Sequence, residues 1–278
     1  MRPQPEIIDD ARQSPLAHAV SQREQDTLFM VRRAIANKRV VLAYQPVMQA
    51  ARPGHVAFYE ALLRVLDDDG RVIPARDFID TTETHEMGRL LDCLALEAGL
   101  DTLAQVPGLR LSINLSARSI GYPRWRQVLA QGLAAAPDIA ERLILEISET
   151  SAMLMPDLVT SFMADQQARG ISFALDEFGA GSTTFRYLKQ FYFDIMKIDG
   201  QFIRGMAGSP DNQVLVSALI SLARHFEMFT VASAVESDAD ARILIDAGVD
   251  CLQGYFFGLP TINPPWLAQT TAKGHRQR

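Results

Sequence analysis

Four apolar runs in this sequence end on a side chain that can bind a hard cation through oxygen: Glu60 after HVAFY, Asn114 after LRLSI, Glu146 after RLIL and Asp176 after ISFAL. Three carboxylates and one amide suit Mg²⁺ or Mn²⁺, whereas a Zn²⁺ site would show His or Cys. None of the five histidines ends such a run. Any one of the four, taken alone, reads as a capping or solvated polar residue. Their recurrence over successive runs argues against coincidence, because strands wrapped into a barrel bring their ends to one mouth. Lys197 and Gln253 stand on later runs of the same kind. Asp176 opens Asp176-Glu177-Phe178-Gly179-Ala180-Gly181, where adjacent carboxylates repel unless a cation lies between them. The glycines permit a tight loop, although an ordinary strand-to-helix loop with a solvated acidic pair has the same composition.

The elements that must position these residues are eight short apolar runs, at 40–48, 55–65, 109–116, 142–148, 171–178, 193–199, 229–236 and 251–258. Their length and their Val, Ile, Phe and Tyr content suit buried strands. Residues 77–106 carry Leu90, Leu91, Leu94 and Leu100 on or near one helical face before Pro107. Residues 157–169 end at the capping signal Gly170, and 211–227 and 238–247 repeat the helical theme. Only QAARPG separates the first two runs, which predicts a hairpin rather than a helical crossover. The fold class expected is α/β, a modified (β/α)₈ TIM-type barrel with its first strand antiparallel.

The 278 residues, 48% hydrophobic, accommodate one large domain. Residues 1–25 read as a flexible arm or short helix, 26–267 as the domain, and 268–278 as a solvated tail. A net charge of −6 argues against binding a nucleic-acid polymer or an anionic membrane surface. No run predicts a membrane span or a signal core, and Cys93 and Cys251 read as reduced thiols, so a cytoplasmic setting is expected.

Beyond these inferences, the motifs resemble a known family. Glu60-Ala61-Leu62, followed by Leu63-Arg64, resembles the signature that names the EAL domain, the bacterial cyclic di-GMP phosphodiesterase family. Tyr44-Gln45-Pro46, Ile113-Asn114-Leu115-Ser116, Leu145-Glu146-Ile147-Ser148-Glu149, Lys197-Ile198-Asp199 and Gln253-Gly254-Tyr255 extend the resemblance from about Val40 to Pro260. It implies that Glu60, Asn114, Glu146 and Asp176 hold a first metal, that Lys197 orients the attacking water, and that Glu149 anchors the glycine loop. Arg64 is similar to the residue that contacts a ligand phosphate, with Leu63, Gln45, Asn114 and Gln253 lining the ligand or its metal waters.

The resemblance also exposes departures. Active members hold a second metal with a further Asp beside the first and with the Glu of an Ala-Glu-Gly-Val-Glu segment. Here those positions are Glu177 and Ser233, and Ala234 replaces a glycine. Glu236, three residues beyond Ser233, is not a direct substitute. Two metals roughly 3.5–4 Å apart activate water and neutralise the phosphate in such hydrolyses, so weakening the second should impair turnover more than binding. The expected function is therefore a cyclic di-GMP-binding receptor or regulator with impaired or absent catalysis. The alternatives are an active or weakly active Mg²⁺- or Mn²⁺-dependent phosphodiesterase yielding linear pGpG, and a protein-interaction scaffold that binds no nucleotide. Signalling would pass to an unidentified protein partner, and residues 183–192, TTFRYLKQFY, offer an aromatic surface for a homodimer or for the core.

Overall fold

The computed structural model describes residues 15–181 and 188–267. Its strands are β1 (Val40–Gln49), β2 (Arg52–Leu66), β3 (Val72–Pro74), β4 (Leu111–Asn114), β5 (Leu143–Ser148), β6 (Ser172–Phe178), β7 (Ile195–Ile198), β8 (Phe229–Ala232) and β9 (Cys251–Leu252). The helices are α1 (Pro15–Ala36), α2 (Ile79–Thr82), α3 (Glu86–Gln105), α4 (Ala117–Ile120), α5 (Pro123–Ala135), α6 (Glu149–Leu154), α7 (Pro156–Gln167), α8 (Gly200–Ile203), α9 (Pro210–His225) and α10 (Asp238–Asp246).

The sheet order β1-β9-β8-β7-β6-β5-β4-β2, with β1 also paired to β2, closes an eight-stranded barrel. β2 and β4 to β9 run parallel, whereas β1 is antiparallel to both of its neighbours. This is the modified TIM-type barrel expected from the short first connection. The hairpin strand β3, which the apolar runs did not indicate, extends from the end of β2. Its signal was Asp69-Gly70, a turn pair in which Gly70 has φ 77°. The helical stretch expected at 77–106 is divided at 83–85 into α2 and α3.

Strand alternation sorts the side chains into two sets. Leu111, Ile113, Leu143, Leu145, Phe173, Leu175 and Met196 face the helices and join the large outer core with Leu96, Leu100 and Trp125. Val47, Phe58, Ile144, Ala174, Ile195 and Val231 fill the barrel interior. Between β1 and β2 there is no crossover helix, and the C-terminal segment takes that place. Trp266 packs edge-on against Tyr44 and Tyr59, with ring centroids 5.1 and 4.8 Å away.

α1 crosses the 25/26 boundary between the expected arm and the domain. Its Val31 and Ala34 are buried with Val65, Phe78 and Leu91. The C-terminal tail at 268–278 lies outside the described residues, as do residues 1–14 and 182–187. In the stretch considered for a homodimer, Leu188 and Phe191 are in the core and Tyr192 is exposed, while 183–187 lie outside the described residues.

Candidate active site at the barrel mouth

Period-two geometry places the site. On each parallel strand, the residue two positions beyond an interior apolar side chain faces inward again, now at the mouth. Phe58 is thus followed by Glu60, Ile144 by Glu146, Ala174 by Asp176, Ile195 by Lys197 and Val231 by Ser233. On the reversed β1 the corresponding residue precedes Val47, and it is Gln45.

Glu60, Glu146 and Asp176 each offer an oxygen within 4.8 Å of the others. Lys197 lies among them, with Nζ 3.1 Å from Glu60 Oε2, 2.5 Å from Glu146 Oε2 and 3.3 Å from Asp176 Oδ1. Asn114 donates Nδ2–H to Glu60 Oε1 at 3.1 Å, leaving its amide oxygen uncommitted to Glu60. Gln253 donates to Glu60 Oε2 at 2.6 Å and to Gln45 Oε1 at 3.2 Å, and Gln45 in turn donates to the Gly258 carbonyl at 3.0 Å. Residues from 45 to 253 therefore meet in one network. Arg64 behaves differently: it donates Nη1–H to the Leu63 carbonyl at 2.8 Å and does not line either of the cavities described below.

The electrostatics of the cluster are unbalanced. Burial would raise the Glu60 carboxyl, but Lys197 and the amides of Gln253 and Asn114 outweigh it and hold Glu60 below its ordinary value. Burial, with the charge of Glu60, pushes Glu146 up to about 8 despite Lys197. Burial also raises Asp176, against the pull of Lys197. For Lys197 burial acts downward, yet Asp176, Glu146 and Glu60 together carry it well above its ordinary value, so it remains an ammonium. Three carboxylates against one ammonium leave two negative charges when all are ionised, which one divalent cation would balance. Among the described residues, Glu146 Oε1 is also buried without a hydrogen-bond partner. An orphaned carboxylate oxygen in an oxygen-only donor set is the arrangement a hard cation would complete.

A bulge sets the acidic pair. Leu175 pairs with Met196 and Phe178 with Ile198, so Asp176 and Glu177 together oppose Lys197. The extra residue keeps Asp176 inward while Phe178 returns to the outer core. Glu177 occupies the turn of the bulge at φ 54°, exposed, with its N–H donating to Asp176 Oδ1 at 2.9 Å. Burial, Asp176 and Asp199 raise its carboxyl. Beyond it, Glu149 accepts from the Gly179 N–H at 3.0 Å, with Ser148 capping α6 by accepting from Ser151 N–H.

Two cavities flank the acid cluster and share Glu60, Asp176 and Glu177. One, about 290 Å³, extends over β7 to β9 along Lys197, Arg204, Ser233 and Tyr255. The other, about 390 Å³, extends over β2 to β5 along Leu63, Arg76, Asp92 and Asn114. Sequence reasoning missed Arg204, Arg76 and Asp92. Asp92 accepts from Ser119 Oγ at 2.6 Å and from Ser116 N–H at 3.3 Å, and burial pushes it up to about 7. Its only sequence signal was an acid within the apolar stretch Leu90-Leu91-Asp92-Cys93-Leu94.

The comparisons with known proteins agree with this geometry. The EAL domain profile matches residues 30–260. The cyclic di-GMP phosphodiesterase PdeF of Escherichia coli is 29% identical over 247 residues, covering 86% of this chain and 33% of the relative. The bifunctional diguanylate cyclase/cyclic di-GMP phosphodiesterase MucR of Pseudomonas aeruginosa is 29% identical over 250 residues, covering 87% and 36%. The chain thus spans about a third of the length of these relatives. The crystal structure of the FimX EAL domain from Pseudomonas aeruginosa bound to cyclic di-GMP superposes with a TM-score of 0.78 at 25% identity, covering 85% of this chain and 97% of that one.

Proposed function

The chain belongs to the EAL domain family, and from that premise we propose that it binds cyclic di-GMP across the barrel mouth and hydrolyses it poorly or not at all. The observation that carries this reading is the shared wall of carboxylates: two cavities, about 290 and 390 Å³, meet at Glu60, Asp176 and Glu177. A cyclic dinucleotide has two bases and a phosphodiester ring between them. One base could enter each cavity, with the ring lying over the acid cluster.

Three carboxylates repel an anion laid over them, and a cation among them screens that repulsion. Glu60, Asn114, Glu146 and Asp176 would hold Mg²⁺ or Mn²⁺, and the bound metal would neutralise a phosphodiester and polarise a water. Lys197, an ammonium among three carboxylates, can donate a hydrogen bond to a water or phosphate oxygen. Gln253 and Gln45 keep Glu60 in place through their mutual hydrogen bond. Glu149, through the Gly179 N–H, fixes the loop that follows the bulge.

Weak turnover follows from the other side of the mouth. The position after β8 contributes the neutral Ser233 to the cavity, and Glu177 lies on the turn of a bulge as an exposed residue. A second cation there would have one anionic ligand fewer than the first. One observation favours slow residual hydrolysis as a second reading: Glu177 and Ser233 line the same cavity, so the longer acid could serve the space beside Ser233.

The test is to incubate the purified protein with cyclic di-GMP and Mg²⁺ or Mn²⁺, follow linear product by chromatography, and titrate binding in parallel. Binding without product supports the receptor, whose output would pass to an unidentified protein partner. Turnover of about 0.1 s⁻¹ or faster contradicts it, and absence of binding with either metal favours a scaffold.

A further inference from the structure

The cavity beside Ser233 contains two cations in its lining, Lys197 and Arg204, and they differ in what they are committed to. Lys197 is buried and engaged by three carboxylates. Arg204 follows α8, where its backbone N–H donates to the Gly200 carbonyl at 2.9 Å. Its one ion pair among the described residues joins Nε to Glu236 Oε1 at 3.5 Å, with the side chains 59% and 53% exposed. A long, half-exposed pair of this kind is weak, so it leaves the guanidinium able to take an anion.

Gly200 fixes where that guanidinium lies. A Cβ added to Gly200 would come within 3.1 Å of Arg204 Nη2 and 3.2 Å of Cζ, so the planar group rests against the bare backbone. The same Cβ would meet Ala234 Cβ at 2.7 Å, which places the arginine next to the Ser233-Ala234 segment. Neither of those residues is charged, and the carboxylates nearest Arg204 in the cavity lining are Glu236, its weak partner, and Asp199. β7, which leads into α8, is also diametrically opposite β2 in the strand order, whose Arg64 turns back to its own backbone.

We propose that Arg204 is a ligand-binding residue that seats a phosphodiester of the dinucleotide on the Ser233 side of the mouth, giving this chain a component of affinity independent of metal. The inference rests on the reading that cyclic di-GMP is the ligand. A guanidinium pairs with an ionised phosphodiester through two parallel N–H donors and needs no metal to do so. Arg204 thus supplies a positive charge in the cavity that Ser233 lines.

The experiment is an equilibrium titration of fluorescently labelled cyclic di-GMP, once with EDTA and once with Mg²⁺, using the unaltered protein, Arg204→Met and Arg204→Lys, with thermal melts of all three. The unaltered protein should retain binding in EDTA. Arg204→Met should weaken that binding by about tenfold, the loss expected for one charge-assisted contact, while Arg204→Lys weakens it less. Since the side chain is more than half exposed, the melting temperatures should agree. If Arg204→Met binds within twofold of the unaltered protein in EDTA, or the unaltered protein binds only with Mg²⁺, the inference falls and the proposed function stands. If the unaltered protein binds under neither condition, both fall.

Discussion

The two halves of the barrel mouth are built from the same strand periodicity but differ in backbone and charge. On the side of β2, β4 and β5, Glu60 and Glu146 are buried in regular strands at 5% and 1% exposure, tied into one network through Lys197, Asn114 and Gln253. On the side of β6 to β9, the residues that differ from the pattern the resemblance implies are Glu177, near the end of β6, and Ser233 and Ala234, just after β8. Two of them occupy left-handed backbone, Glu177 at φ 54° and Ala234 at φ 59°. Such conformations favour glycine, asparagine or aspartate, so glutamate and alanine are strained at these two turns. Ordered strand backbone preserves ligand direction, whereas a bulge and a post-strand turn leave the carboxylate position to side-chain length.

Removing Lys197, the cation that ties the carboxylate network together, should have the largest effect. Lys197→Met leaves three carboxylates without their buried counter-charge and should destabilise the metal-free protein by about 3–5 kcal/mol. Chemical denaturation measures the loss, and Mg²⁺ or Mn²⁺ should restore part of it if the cluster is a metal site. A variant equally stable with and without metal would break the distinction between the halves.

Repairing the altered half comes next. Ser233→Glu with Glu177→Asp should raise linear product formation by about 10²-fold, the scale of a corrected misplacement of roughly 1 Å. No gain would place the impairment elsewhere than in the second cation's ligands.

Acidity gives a smaller and directional effect. Glu146 is raised to about 8 from an ordinary 4.5, so within that window the metal-free folded protein holds a proton that the unfolded chain has released. Its contribution to stability is therefore fully present below pH 4.5 and is lost as pH rises through about 8. A metal must displace the same proton, so Mn²⁺ affinity measured by calorimetry should rise by up to about tenfold per pH unit below that value. Glu146→Gln should flatten the profile and weaken the metal. Least in size, Ala234→Gly should stabilise the fold by about 1 kcal/mol by relieving left-handed alanine, which a denaturant midpoint would register.

Much of this was legible in the residues. All eight apolar runs overlap a barrel strand, and the four oxygen-bearing side chains lie on β2, β4, β5 and β6 as the runs suggested, because a buried strand must be apolar on both faces until it reaches solvent. The later runs were read too long: β7 covers Ile195–Ile198 within 193–199, and β9 covers Cys251–Leu252 within 251–258. Hydrophobicity continues past a strand when its loop is also buried, as Val235 and Phe257 are packed in the second core cluster. α1 was obscured by its polar first half, since only the later turns carry the residues that dock, Val31 and Ala34. Arg204 and Asp92 were not legible as site residues, because each enters its cavity from a helix rather than from a strand end.

The sequence by itself determined the family, the barrel and which oxygen-bearing side chains stand at the strand ends, since strand period and residue type are local properties. Only the tertiary structure decided that Lys197 occupies the centre of the carboxylates, that Asp176 and Glu177 share one place on a bulge, and that Glu146 keeps an unpartnered oxygen. These are matters of register and burial. Charge balance in a closed mouth depends on which side chains of eight separate strands come within a few ångströms of each other, and no spacing along the chain encodes that distance.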